Sequence, residues 1–126
     1  MSLDIHTLPS EAQNILRVAL NGRLDTHTYQ QLDDRLATLL AEGANTLVLE
    51  LGNLAYISSA GIRSIVKARK ALATRGGKVL LAHPQPQVKK VFDVVRAAPL
   101  NEIFTSVAEL DAYLDAMQQK VLRGED

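Results

Sequence analysis

The sequence predicts one α/β domain, a mixed sheet of four to five strands packed by about four helices. Short aliphatic runs such as Leu47-Val48-Leu49 and Val79-Leu80-Leu81 are too brief for buried helices. The stretches between them carry apolar residues at helical spacing. The order therefore reads β-β-α-β-α-β-α-(β)-α, and strands separated by helices of this length demand crossovers and a largely parallel sheet. With 126 residues, 47% of them apolar and 22% charged, the chain is long enough for one buried core. The domain is expected to fill residues 1–126, with a core over about 4–118 and a frayed tail at 119–126.

Asp4 to Leu8 reads as a weak strand, joined through Pro9 to Gln13 in a hairpin with a second strand from Asn14 to Asn21. There Ile15, Leu16, Val18 and Leu20 surround Arg17, and Asn21-Gly22 reads as the turn that ends the strand. Asp25, Thr26, His27 and Thr28 offer caps for a helix in which Tyr29, Leu32, Leu36, Leu39 and Leu40 recur until Gly43. Thr46 to Leu51, apolar except for Glu50, is a central strand that runs straight into a second helix from Ser59 to Thr74. Ile62, Ile65, Val66, Arg69 and Leu72 trace that helix, and Gly76-Gly77 stops it. Lys78 to Ala82 is another strand, and the two prolines of His83-Pro84-Gln85-Pro86 make a rigid turn. Val88, Val91, Phe92 and Val95 mark a third helix that ends at Pro99. Ile103-Phe104 reads as a short edge strand. Ser106 to Glu109 has capping-box spacing ahead of Leu110, Tyr113, Leu114 and Met117.

Composition excludes several function classes. Fourteen basic and fourteen acidic residues cancel, so no global field draws the chain to nucleic acid or an anionic membrane. Without cysteine there is no disulfide, thiol nucleophile or thiolate metal site. The three histidines, His6, His27 and His83, stand apart from any ligand cluster. No apolar run approaches the roughly 18–20 residues of a membrane span and no signal peptide is read, so a cytoplasmic module is expected. A hydrolase would need glycines two residues before and after its serine. Ile57 precedes Ser59 at that distance and Tyr56 precedes Ser58. Asp25 and His27 are better read as a helix cap and a first-turn residue than as triad members. Gly76-Gly77 follows a helix instead of opening one, and no phosphate-loop pattern exists.

One locus stands out. Ser58 and Ser59 fall where a strand meets a helix, so either hydroxyl is expected to cap the free N–H groups there, and the same positive end suits a phosphate. Arg63 lies one turn on, within reach of a phosphate on Ser59. The basic face formed by Arg63, Lys67 and Lys70 is otherwise read as a solvated face balanced by Asp33, Asp34 and Glu42. Ala60-Gly61 keep the turn small enough for a partner's backbone to approach, and Tyr56, Ile57 and Ile62 offer apolar contacts beside it.

The chain resembles the STAS domains of bacterial anti-sigma factor antagonists. Asn21-Gly22-Arg23-Leu24-Asp25 is similar to that family's G-x-L-D motif, and Tyr56-Ile57-Ser58-Ser59-Ala60-Gly61-Ile62 to its [FY]-[IM]-[DS]-S-[SAT]-G-[LI] motif. Gly76-Gly77-Lys78-Val79 and Pro86 to Phe92 match further blocks in order. The resemblance implies a non-enzymatic partner switch without metal or cofactor. In such a switch the unmodified protein binds an anti-sigma factor that is also an ATP-dependent serine kinase, phosphorylation releases it, and a metal-dependent serine phosphatase resets it. By position the acceptor is Ser59, and Asp25, Ser58, Ala60, Gly61, Ile62 and Arg63 form the partner-binding surface of a protein that is monomeric alone. Many members carry aspartate where this chain has Ser58. The alternative within the same fold is an unphosphorylated accessory subunit of a lipid ABC transport system, or a small-molecule-binding module.

Overall fold

The computed structural model of the protein describes residues 2–10, 12, 14–97 and 103–125. Its five strands are β1 (Leu3–Leu8), β2 (Ile15–Leu24), β3 (Thr46–Glu50), β4 (Leu54–Ile57) and β5 (Lys78–Ala82). The helices that concern the site are α1 (Tyr29–Leu40), α2 (Ser59–Ala73), α3 (Pro86–Ala97) and α4 (Val107–Leu122). The sheet is mixed as expected: β1 pairs antiparallel with β2, β2 parallel with β3, and β3 parallel with β5.

Two readings of the sequence are corrected here. Asn21-Gly22 is not a turn, because β2 continues through it to Leu24. Gly22 adopts φ 110°, and a Cβ there would lie 2.3 Å from the Ser2 carbonyl oxygen, so glycine allows a bulge pressed against the neighbouring backbone. Past this bulge β2 changes partner. Its first half pairs with β3 and its last residues with β4, which lies further along the same edge. The second correction concerns β4 itself. The segment from Thr46 towards Ser59 is not one strand running into a helix but two strands separated at Leu51 to Asn53, where the Leu54 N–H donates to the Leu51 carbonyl.

Alternation along the strands gives the sheet a buried and a half-open face. Val18, Leu20, Leu47 and Leu49 are fully buried, whereas Arg17, Val48 and Glu50 are only partly covered. On the open face Glu50 accepts from Arg17 and bonds His83 Nδ1, each at 3.0 Å. On the buried face α1 packs against α2, and α3 packs against α4 and β4. Lys67 on α2 pairs with Asp33 on α1 at 3.8 Å, in line with the balanced basic face read from the sequence.

The capping box is present in a shifted form. Ser106 accepts from the Glu109 N–H, and the Glu109 carboxylate reaches back to the N–H and hydroxyl of Thr105. Tyr113, expected on the apolar stripe, faces outward against Phe104, with ring centroids 5.2 Å apart. Ile103 is helical and Phe104 lies outside regular structure, so the expected edge strand is not formed there. α4 continues to Leu122, into the 119–126 stretch expected to fray. Pro99, the expected stop of the third helix, falls outside the described residues. Among the described residues no helix is long and apolar enough to cross a membrane.

Candidate functional site

The site is built where the bulged end of β2, strand β4 and the start of α2 converge. Leu24 anchors the junction: its carbonyl accepts from the Ser58 N–H at 2.9 Å, and its fully buried side chain lies beneath Gly61. A Cβ on Gly61 would stand 2.7 Å from Leu24 Cγ and 2.8 Å from Ile57 Cγ1. The glycine therefore lets α2 settle onto the strand ends. The space beside it, expected from the sequence to admit a partner's backbone, is filled by this chain's own core. Ala60 is likewise buried and Ile62 packs against the core, while Arg63 is exposed and makes no ion pair with another described residue.

The serines do not cap the helix. Ser58 occupies the N-cap position without a side-chain cap bond, and the hydroxyls of Ser58, Ser59 and Ser64 are all buried with no hydrogen-bond partner among the described residues. The capping role belongs to Asp111 on α4, whose Oδ1 accepts from the Ser59 backbone N–H at 2.8 Å. Ser59 is thereby held at 5% exposure.

A second α4 residue secures the same segment. Ile57 ends β4 with one backbone edge facing away from β2, and Gln118 satisfies it completely. The amide oxygen of Gln118 accepts from the Ile57 N–H at 3.1 Å, and its Nε2 donates to the Ile57 carbonyl at 2.9 Å. Gln87 on α3 covers one group of the same edge two residues earlier, donating to the Ala55 carbonyl at 3.0 Å. The strand's open edge explains why two glutamines are buried here, at 2% and 0% exposure.

Asp25 sits in the loop leading to α1 and is organised from within. Its Oδ1 accepts from the His27 N–H at 2.9 Å and from the Thr28 hydroxyl at 3.2 Å, and Oδ2 pairs with Arg23 Nε at 3.5 Å. The Arg23 guanidinium in turn lies 4.0 Å from the centroid of the Tyr56 ring. Burial lifts the Tyr56 phenol above its ordinary value of 10. Asp115, Asp111 and Asp25 push the same way, and Arg23 opposes them. Asp111 stands at the start of α2 itself, and Asp25 and Asp115 act with it on the adjoining Tyr56, where Arg23 is the opposing cation. No relay of the hydrolase kind is assembled: Asp25 is engaged by a backbone N–H, a hydroxyl and an arginine, and Ser59 Oγ bonds to no described residue.

These are the two segments in which the sequence carries its motifs, and the STAS domain model matches residues 9–110, most of the chain. The chain belongs to the STAS domain family. BtrV of Bordetella bronchiseptica, which carries a provisional name as an anti-sigma factor antagonist, is 35% identical over 80 residues, covering 64% of this chain and 69% of that protein. An anti-sigma-B factor antagonist of Staphylococcus epidermidis is 26% identical over 94 residues, covering 75% and 85%. Among solved structures the unphosphorylated form of the anti-sigma factor antagonist SpoIIAA superimposes with TM-score 0.61 at 22% identity, over 71% of this STAS chain and 82% of that one. Its phosphorylated form, titled as a Bacillus cell fate determinant, gives 0.60 at 22%, over 73% and 83%. At that identity SpoIIAA speaks for the fold.

Asp111 and Gln118 lie beyond the matched residues 9–110, and the motif reading of the sequence missed both. Their signal was a polar residue inside an apolar stripe: Gln118 belongs with Leu114 and Met117 on the buried side of α4, and Asp111 lies on the same side two turns earlier.

Proposed function

We propose that this STAS protein is an anti-sigma factor antagonist that works by partner switching. Unmodified, it binds an anti-sigma factor that is also a serine kinase, and phosphorylation of Ser59 ends the binding. The transfer moves the γ-phosphoryl group of ATP, held by the kinase, onto Ser59 Oγ. ADP leaves, and the hydroxyl proton passes to a base of the kinase. A metal-dependent serine phosphatase returns the hydroxyl by hydrolysis.

The observation that carries this reading is the state of the Ser59 hydroxyl, which sits in the first turn of α2 and is committed to no hydrogen bond with any described residue. The N-cap position is that of Ser58, whose hydroxyl makes no cap bond, and the Ser59 N–H is met by the Asp111 carboxylate instead. The names of the relatives agree with the reading, and the SpoIIAA structures include both unphosphorylated and phosphorylated forms. Once modified, Ser59 would have Arg63 one turn away as a cation free to pair with the new charge. A doubly charged group in a packed interface meets a desolvation cost that the free protein avoids.

Wild type, Ser59→Ala and Ser59→Glu proteins are to be immobilised side by side in native lysate and their captured proteins identified by mass spectrometry. An ATP-binding serine kinase held by wild type and Ser59→Ala but not by Ser59→Glu is expected. Label from the γ-phosphate of ATP is expected on wild type alone. Equal capture by wild type and Ser59→Glu, or label persisting on Ser59→Ala, would overturn the proposal. Capture of membrane-transport subunits by all three would point to the lipid-transport role instead.

A further inference from the structure

We infer that α4 is an internal clasp on the switch: Asp111 fills the anion position at the start of α2, so that docking of α4 and a phosphoryl group on Ser59 exclude one another. This rests on Ser59 being the modified residue, and it adds to that reading a gate supplied by the same chain.

Three observations meet at this point. First, the Ser59 N–H, the group a phosphate at a helix start would use, already donates to the Asp111 carboxylate at 2.8 Å. Second, Ser59 Oγ is fully buried without a partner, although it lies next to a helix start that would welcome negative charge. It is shut in, and the helix that grips the same residue through Asp111 is α4. Third, α4 holds the segment on both sides of the serines: Gln118 binds both backbone groups of Ile57 before them, and Asp111 binds Ser59 itself. Leu114 and Met117, both buried, seat the helix between these polar contacts.

The charges give the clasp its direction. Asp111 and Asp115 from α4 and Asp25 from its loop all act on the neighbouring Tyr56, with Arg23 as the opposing cation. A phosphoryl group on Ser59 would add about two negative charges to that setting. Of the three carboxylates, Asp25 is fixed in its loop by Arg23, the His27 N–H and Thr28. Asp111 and Asp115 belong to one helix and can leave together. Modification would therefore expel α4, and a docked α4 would delay modification. The clasp lies almost wholly beyond residues 9–110, so the gate is an addition to the part of the chain that the family match covers.

The chain contains no cysteine, so Ser59→Cys introduces a lone thiol at the gate. Ser64→Cys places one at an equally buried, unpartnered serine on the other side of α2, in the groove against α1. Each protein is to be alkylated with iodoacetamide with α4 intact and with Asp111→Ala plus Gln118→Leu. Alkylation of the Ser59→Cys protein is expected to quicken about tenfold or more with the double change, the scale set by losing several buried hydrogen bonds, while that of the Ser64→Cys protein changes little. No acceleration in the Ser59→Cys protein, or equal acceleration of both thiols, would overturn the inference. In a second experiment phosphoserine is installed at position 59 during translation and amide hydrogen exchange is followed. Exchange in residues 107–122 is expected to quicken about tenfold relative to the unmodified protein, with β2 and β3 still protected. Unchanged protection of 107–122 would overturn the clasp. Neither experiment uses a kinase or a partner, so failure here is distinguishable from failure of the partner-switching proposal.

Discussion

Replacing Gly61 by alanine separates two roles that the same motif glycine could play, because they predict effects of opposite sign. A helical glycine kept small for an incoming partner would be relieved by alanine, which raises the stability of the free protein by about 1 kcal/mol through helix propensity. The structure predicts the reverse. The new methyl would lie 2.7 Å from Leu24 Cγ and 2.8 Å from Ile57 Cγ1, whereas carbon atoms in contact prefer about 3.5–4.0 Å. Both obstructing atoms belong to the inner part of fully buried side chains, so neither can swing aside as a flexible tip would. Overpacking of this kind costs about 1–3 kcal/mol. Set against the propensity gain, the net expectation is a loss of up to about 2 kcal/mol. For a domain with a urea m-value near 1–3 kcal/mol per molar, the midpoint should fall by up to about 2 M with an unchanged slope. Urea titration followed by circular dichroism measures this directly. A raised midpoint would refute the packing argument and return Gly61 to the surface role.

Two further predictions concern the charged groups. Hydrogen bonding from His83, and then from Arg17, holds the Glu50 carboxyl below its ordinary 4.5. A carboxyl depressed in the folded state adds stability above its unfolded value, and that contribution is lost as pH falls through the lower folded value. The stability difference between wild type and Glu50→Gln should therefore close as the pH is lowered below 4.5; urea titrations at successive pH values showing a gap that widens as the pH falls through that range would contradict it. At the switch, Arg23→Gln should push the Tyr56 phenol further upward, because Arg23 is the cation that opposes burial and the three carboxylates there. Phenolate absorbance in a background with Tyr29→Phe and Tyr113→Phe isolates this group, and a downward shift would show that Arg23 does not sit over the ring.

The fold was legible wherever local pattern and tertiary context agreed. The helical spacing of Leu32, Leu36 and Leu40 marks α1, and the aliphatic run of Thr46 to Glu50 marks the central β3. The errors share a cause, which is that a residue's local preference was overruled by a distant neighbour. Asn21-Gly22 is a strong turn signal, but here the positive φ of Gly22 serves a bulge beneath the Ser2 carbonyl, and nothing in the local sequence announces that contact. β4 was hidden because Leu54 to Ile57 follows the polar Gly52-Asn53 so closely that one longer element looked simpler, and its pairing with the end of β2 exists only in the sheet. Ser58 and Ser59 had the right chemistry for capping, yet a carboxylate 52 positions from Ser59 in sequence takes their place. The motif located the site. The residues that close it, Asp111 and Gln118, were visible only as polar interruptions of an apolar stripe.

The relative size of two electrostatic effects decides whether a phosphoryl group and a docked α4 can share the start of α2. A negative group at a helix N-terminus gains about 0.3–1 kcal/mol, and up to about 2 kcal/mol where partly buried. Two like unit charges about 4 Å apart repel by about 4 kcal/mol at the effective dielectric of a site near the surface. A phosphate carrying close to two charges would face that repulsion from Asp111 alone, since both would seek the Ser59 N–H. The gain is smaller than the penalty by several-fold, so the helix start can hold one anion and not two. What leaving costs α4 is one charge-assisted hydrogen bond, worth about 1.5–3 kcal/mol, together with the Gln118 contacts and the burial of Leu114 and Met117, worth about 1.5–3 kcal/mol each. These contacts outweigh the repulsion between one pair of unit charges, and it takes the nearly double charge of a phosphoryl group, with about twice that repulsion, to come level with them.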